Sequence, residues 1–278
     1  MDIPIPESLG IIAGKGVYPR LLADSARKQG VKRLYAVAFR KETDPVLEKY
    51  ADQVDWLYLG QLGAMLEAFK ASGVKQVVMA GQITPTHLFR IRMDGPMISL
   101  LSRLRVRNAE TIFGAVGDEL RKIGVELLPA SLFMEHTMPE AGVLSARAPT
   151  EQESADIELG LKVAKTTSGL DIGQTVVIKN GTILAVEAFE GTDAAIARAG
   201  ELGGAGAVVV KVAKRGHDMR FDIPVVGEHT MKSLRRIRAS VLAVEAKRTI
   251  LLDREVVVGE ADRQGLCLVA VKTEETTE

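Results

Sequence analysis

The residues best suited to chemistry crowd between positions 187 and 224. Glu187-Ala-Phe-Glu190-Gly-Thr192-Asp193 comes first, and Lys211-Val-Ala-Lys214-Arg215-Gly-His217-Asp218-Met-Arg220-Phe221-Asp222-Ile-Pro224 follows. Several carboxylates there, Glu190, Asp193, Asp218 and Asp222 among them, with no histidine cluster, are the donors a hard-oxygen magnesium site uses. Lys211, Lys214 and Arg220 are the cations a phosphate calls for. A solvated charge run is the alternative, and composition alone does not separate the two. Asp222 is harder to assign to solvent, because it lies between Phe221 and Ile223, two residues before the backbone-fixing Pro224.

Two glycine-bearing segments lie nearer the amino end. Gly14-Lys15-Gly16-Val17-Tyr18-Pro19 follows an apolar run and opens an amphipathic one, where backbone N–H groups and the helix dipole favour a phosphate. It is not a Walker A loop, because Gly10 is too close to Gly14 and Gly16 replaces the hydroxyl residue that should follow the lysine. As a dinucleotide fingerprint it lacks the third glycine, and the second apolar run ends in Arg40-Lys41 rather than an acid. A tight turn with proline at the first helical position explains the same residues. Gly81-Gln82-Ile83-Thr84-Pro85 leaves the fourth apolar run where doubly wound folds bind ligands, or is an ordinary loop.

Between Leu88 and Arg107, the basic residues Arg90, Arg92, Arg103, Arg105 and Arg107 alternate with Ile91, Met93, Met97, Leu100 and Leu104. Such a mixture suits an anionic membrane surface or an acylated phosphorylated ligand, and equally a packed helix with a basic solvated face. His87, His136, His217 and His229 are scattered, which excludes a histidine-rich dinuclear phosphatase. No Gly-x-Ser-x-Gly elbow is present. Cys267, the single cysteine, excludes an intrachain disulfide and reads as a small buried hydrophobe.

These residues need elements to position them. Strands are expected at Leu9–Ala13, Leu34–Phe39, Val54–Leu59, Val74–Ala80 and Val125–Pro129. Helices are expected near Pro19–Gln29, Pro45–Tyr50, Leu62–Ser72, Pro96–Leu104 and Asn108–Ile123. That alternation predicts an α/β, Rossmann-like parallel-sheet domain over residues 1–135. Pro139, Gly142 and Pro149 mark residues 136–149 as a linker. From Thr150, a capping box with Glu153 opens a helix, and Asn180-Gly181 joins two strands as a hairpin. Helices from Asp193 and over Thr230–Lys247, with strands at Ala207–Val212, Arg248–Leu252, Glu255–Val258 and Leu266–Val271, complete an expected α+β domain over 150–278.

The chain of 278 residues carries 36 basic and 36 acidic side chains, so its formal charge is zero and a nucleic-acid surface is not expected. Hydrophobic residues at 46% exclude disorder for most of the length. No apolar run reaches the ~20 residues of a membrane span. The amino terminus has acids instead of a signal peptide, so a cytoplasmic location is expected.

Three blocks resemble the LpxI family, the UDP-2,3-diacylglucosamine pyrophosphatases of lipid A biosynthesis. They are Leu9-Gly-Ile-Ile-Ala-Gly-Lys-Gly-Val-Tyr-Pro19, Glu187-Ala-Phe-Glu-Gly-Thr-Asp193, and Lys211-Val-Ala-Lys214 with His217-Asp-Met-Arg-Phe-Asp-Ile-Pro-Val-Val-Gly227. Gly117-Asp-Glu-Leu120 lies between them in the expected order. Val212 and Ala213 stand where the family pattern has prolines, and His217 where it has glutamine. The resemblance implies hydrolysis to UMP and 2,3-diacylglucosamine 1-phosphate (lipid X) with magnesium, by a homodimer of two-domain chains at the cytoplasmic face of the inner membrane. It maps the catalytic aspartate onto Asp222. On that reading Asp193, Glu190 or Asp218 assist Asp222 with metal or water, and Lys211 and Lys214 hold phosphoryl oxygens. Gly14, Lys15, Gly16, Gly81, Gln82, Glu187, Thr192 and Arg220 contact substrate. A nucleotide-sugar transferase or ligase, or a non-catalytic nucleotide-lipid carrier, would use similar loops.

Overall fold

Leu9, Ile11 and Ala13 are completely buried, as are Leu34, Ala36, Val37 and Ala38 beside them. Strands buried on both faces are what a parallel sheet between helices requires. A computed structural model of the chain describes residues 5–83, 92–214, 220–221 and 223–273. It divides into two compact units.

The first unit takes the described residues up to Met134 together with Arg220 and Phe221. Its strands are β1 (Ser8–Ala13), β2 (Arg33–Phe39), β3 (Gln53–Leu57), β4 (Gln76–Ala80) and β5 (Glu126–Leu127). They form one parallel sheet in the order β3-β2-β1-β4-β5. The helices are α1 (Tyr18–Lys28), α2 (Leu62–Ser72), α3 (Gly95–Arg103) and α4 (Ala109–Lys122), with a 3-10 turn at Pro45–Lys49. Two caps are set by sequence: Asp94 accepts from the Met97 N–H and Asn108 from the Thr111 N–H, each at 2.9 Å. Phe69 of α2 is fully buried and meets Tyr35 edge-on at 5.7 Å between centroids. It reaches that position over Gly10, where a Cβ would lie 2.9 Å from its ring. Phe221 joins this core with its ring centroid 5.9 Å from Phe113 of α4, although the chain resumes in the second unit from Ile223.

In the second unit, β6 (Gly142–Val143), β7 (Thr175–Lys179), β8 (Thr182–Val186), β9 (Val208–Lys211), β11 (Val241–Glu245) and β13 (Cys267–Val271) form a mixed sheet, ordered β6-β13-β11-β9-β7-β8. Strands β13, β11 and β9 are mutually parallel, while β7, β8 and β6 pair antiparallel at its flanks. β10 (Val225–Val226) and β12 (Ile250–Leu251) make a separate parallel pair. Helix α5 (Glu151–Gly169) covers one face through Ile157 and Ala164. Helices α6 (Thr192–Gly203), α7 (Glu228–Ile237) and α8 (Arg254–Gln264) cover the other through Ile196, Met231, Leu234 and Ala261.

The capping box forms: the Glu153 N–H donates to the Thr150 hydroxyl at 3.2 Å and the Thr150 N–H to the Glu153 carboxylate at 2.8 Å. The Asn180-Gly181 turn has both φ positive, at 50° and 74°. Buried Asp156 accepts both of its N–H groups, at 2.8 and 2.7 Å. Residues 142–147, within the stretch expected to be a linker, are held on this unit by β6, by the Leu144 N–H on the Leu268 carbonyl and by Arg147 on the Gly265 carbonyl.

Two expected elements differ. The helix expected over Thr230–Lys247 stops at Ile237, where Arg238 turns left-handed (φ 51°), and Val241–Val244 form a central strand with no exposure at all. The strand expected at Glu255–Val258 is the first turn of α8. Val257 and Ala261, four apart, are buried while Val256 is half exposed, so helical spacing prevails over β-branched propensity.

Candidate catalytic site

In the first unit the loops after β1 and β4 meet at the point where the strand order reverses, the ligand edge of doubly wound sheets. Lys15 and Gln82 form an antiparallel bridge, N–H to carbonyl at 2.8 and 3.1 Å, and the Gly14 N–H donates to the Ala80 carbonyl at 2.7 Å. A Cβ on Gly14 would lie 2.7 Å from the Gln82 carbonyl oxygen, and one on Gly81 2.7 Å from that of Lys15. These two glycines therefore serve the crossing of the loops. Gly16 has φ +92° and open space around it, so it serves the turn into α1, whose amino end has no side-chain cap. Lys15 is exposed beside it. Beneath this edge Ile12, Phe39, Met65, Met79, Met97 and Phe113 line a small apolar slot of about 60 Å³.

Met97 and Leu100 of α3 are buried in the first unit's core, and Arg103 pairs with Glu119 at 2.8 Å. Packing thus accounts for half of the mixed basic and apolar stretch. Ile98 and Val106 stay exposed, beside Arg103, Arg105 and Arg107. Arg90 and Ile91 lie outside the described residues.

In the second unit three sequence-expected residues come together at strand ends. Lys211 closes β9 and is 6% exposed, Glu187 follows β8 and is 8% exposed, and Thr192 opens α6. The Lys211 ammonium donates to the Thr192 hydroxyl at 2.8 Å, and that hydroxyl donates to Glu187 Oε1 at 2.8 Å. Thr175, paired with Lys211 across the sheet, brings its own hydroxyl to 3.4 Å from that of Thr192. The other Glu187 oxygen, Oε2, is buried with no partner among the described residues. Glu187 is seated by Gly173, where a Cβ would fall 2.1 Å from its carbonyl oxygen. A buried lysine with one N–H so engaged, a carboxylate oxygen left unsatisfied and a helix amino end without a side-chain cap are the groups that bind a phosphate or a hydrated cation.

The Lys214 ammonium lies 3.2 Å from Asp171. Asp193 accepts from the Ser233 hydroxyl at 2.8 Å. Glu190 is engaged by Arg198 at 2.7 Å and by the Ala188 N–H at 3.1 Å, and the guanidinium holds its carboxyl below the usual range. Arg220 belongs to the first unit, its guanidinium 5.7 Å from the Phe221 ring centre. His217, Asp218 and Asp222 lie outside the described residues. Hard-oxygen donors fit magnesium chemically, but among the described residues no three acidic, histidine or cysteine groups gather to hold it.

Residues 8–137 match the LpxI N-terminal domain and residues 140–269 the LpxI C-terminal domain. A curated relative, the UDP-2,3-diacylglucosamine pyrophosphatase LpxI of Caulobacter vibrioides, is 33% identical over 96% of this chain and 98% of its own. The chain belongs to the LpxI family. Two solved structures were also matched. N5-carboxyaminoimidazole synthetase from Staphylococcus aureus complexed with ADP shares 14% identity over 61% of this chain and 37% of that one, at TM-score 0.24. The biotin carboxylase subunit of pyruvate carboxylase shares 11% over 66% and 38%, at TM-score 0.27. At these scores neither bears on this LpxI chain, which spans well under half the length of both.

One group in this LpxI family member had no counterpart in the sequence reading. Glu245 is completely buried and pairs with Lys165 of α5 at 2.8 Å. Its signal was the apolar run Val241–Val244: read as a strand, that run puts Glu245 at a strand's carboxyl end.

Proposed function

We propose that the chain hydrolyses the pyrophosphate bond of UDP-2,3-diacylglucosamine, releasing UMP and lipid X in lipid A biosynthesis. The observation that carries this reading is the near full-length kinship with the Caulobacter vibrioides pyrophosphatase. The Lys211–Thr192–Glu187 chain supplies chemistry that suits it.

A pyrophosphate diester holds two negative charges that repel an incoming nucleophile. The reaction adds the oxygen of one water to one phosphorus, breaks the bond from that phosphorus to the bridging oxygen, and releases a proton. Catalysis must therefore neutralise the phosphoryl oxygens and aim the water in line. Lys211 places one N–H on Thr192 and has two more for phosphoryl oxygens, held in a site where low exposure strengthens each contact. Lys214 adds a second positive charge three residues on. Asp222 takes the proton of the attacking water and fixes its direction. The bonds from Thr192 to Lys211 and Glu187 hold the ammonium in place while charge shifts in front of it.

Asp222 and Asp218 with Asp193 would hold magnesium, which would supply further neutralisation of phosphate charge. Glu190 is the weakest candidate ligand, since Arg198 already occupies its carboxylate. The enzyme meets its acylated substrate at a membrane surface, a reading supported by exposed Ile98 and Val106 among Arg103, Arg105 and Arg107. Co-sedimentation with anionic vesicles tests this contact, and analytical ultracentrifugation the homodimer the reading carries. Incubation with UDP-2,3-diacylglucosamine, with and without magnesium, followed by chromatography for UMP and lipid X, tests the reaction itself.

A further inference from the structure

Glu245 collects donors from three separate segments. Lys165 reaches Oε1 at 2.9 Å and Oε2 at 2.8 Å, the Ala213 N–H donates to Oε2 at 2.8 Å, and the Thr273 hydroxyl donates to Oε1 at 2.6 Å. Arg248 Nε stands 3.7 Å away. Lys165 also donates to the Ala213 carbonyl at 3.0 Å. Both backbone polar groups of Ala213 are thus gripped by the two members of one buried ion pair.

Ala213 lies between Lys211 and Lys214, just past the end of β9. The named pairing of β9 ends at Lys211, and beyond it the Val212 N–H donates to the Gln174 carbonyl at 3.0 Å. A buried ion pair is a costly way to fill a core, and apolar residues of similar volume do as well or better. What apolar residues lack is an acceptor and a donor aimed at one peptide residue. Glu245 and Lys165 provide both, at the base of the segment that carries the two lysines.

We propose that Glu245 and Lys165 are positioning residues that fix the strap Lys211–Lys214, and with it the two ammonium groups, for the reaction. This rests on the reading that Lys211 and Lys214 hold phosphoryl oxygens. Misplacing such groups by about an ångström costs on the order of 10²-fold in rate.

The test compares wild type with Glu245→Gln and with the double variant Lys165→Met/Glu245→Leu. Three quantities are read: kcat for UDP-2,3-diacylglucosamine, melting temperature, and hydrogen exchange of the 211–214 amides. Glu245→Gln should lower kcat by about 10²-fold. The double variant should regain the wild-type melting temperature, yet keep the low kcat and show faster exchange confined to the strap. A double variant that regains both stability and full kcat would reduce the pair to core packing and overturn the proposal. If the double variant does not fold, wild-type kcat in Glu245→Gln overturns it equally. If wild type itself releases no UMP, the functional reading fails on its own, and the exchange measurement still decides whether the pair orders the strap: unchanged protection in Glu245→Gln sinks it.

Discussion

Lys211 is the residue on which the chemistry turns. Its ammonium is almost fully removed from solvent, and among the described residues its acceptor is the Thr192 hydroxyl. A neutral side chain of similar length keeps the packing and removes the charge, so Lys211→Met should lower kcat by about 10²–10³-fold, the cost of deleting one preorganised donor to developing charge. Its melting temperature should change little. Thr192→Val acts one bond further away: it leaves both Lys211 and Glu187 without their shared hydroxyl and should lower stability and kcat together. Asp222→Asn should abolish nearly all turnover even at saturating magnesium, and steady-state kinetics would show it.

At the scale of elements, the glycines and the caps make separable predictions. Gly81 has φ +92° and a neighbouring carbonyl 2.7 Å from where its Cβ would be, whereas Gly16 has the same φ and open space. Gly81→Ala should therefore destabilise by more than the ~1–3 kcal/mol of a left-handed non-glycine residue, and Gly16→Ala by no more than that. Denaturant melts of the two variants check the ordering.

The amino end of α5 gives a pH dependence. Burial pushes the Glu153 carboxyl up, but hydrogen bonds from Arg147, the Thr150 N–H and Ser240, with the Arg147 charge, hold it down at about 2 against an ordinary 4.5. A carboxyl depressed in the folded state contributes stability that is present above its unfolded pKa and lost as the pH falls through the folded one. Melting temperature should thus drop between about pH 4.5 and pH 2 by more in wild type than in Glu153→Gln.

Elements also mark the limit of what could be read from residues. In the first unit each helix is punctuated by a glycine, a proline or a capping side chain, such as Gly73, Pro96 or Asn108, and its strands and helices were legible. After α7 the only break is Arg238, an ordinary residue in a left-handed conformation. Nothing local distinguishes Val241–Val244 from a further turn of buried helix.

At the scale of the whole chain, the zero net charge masks opposite local functions. Glu187, Thr192 and Lys211 were legible as one motif set because polar residues at strand ends tend to meet, and the structure joins them through a single hydroxyl. Glu190 belongs to the same motif, yet its carboxylate goes to Arg198 on the second turn of α6, a pairing that follows from how the loop enters the helix. The pairing of Glu245 with Lys165, 80 residues away, was not legible, since only the fold makes them neighbours. Among the described residues no helix is long and apolar enough to cross a membrane.

The central claim is that this chain splits a nucleotide-sugar pyrophosphate with water alone. The most direct measurement is incubation of the purified chain with UDP-2,3-diacylglucosamine and magnesium, with no second substrate, and quantitation of UMP and lipid X. The account predicts equimolar release of both, lost in Asp222→Asn. Binding of the substrate without release of UMP, or release that requires an added acceptor, would contradict it.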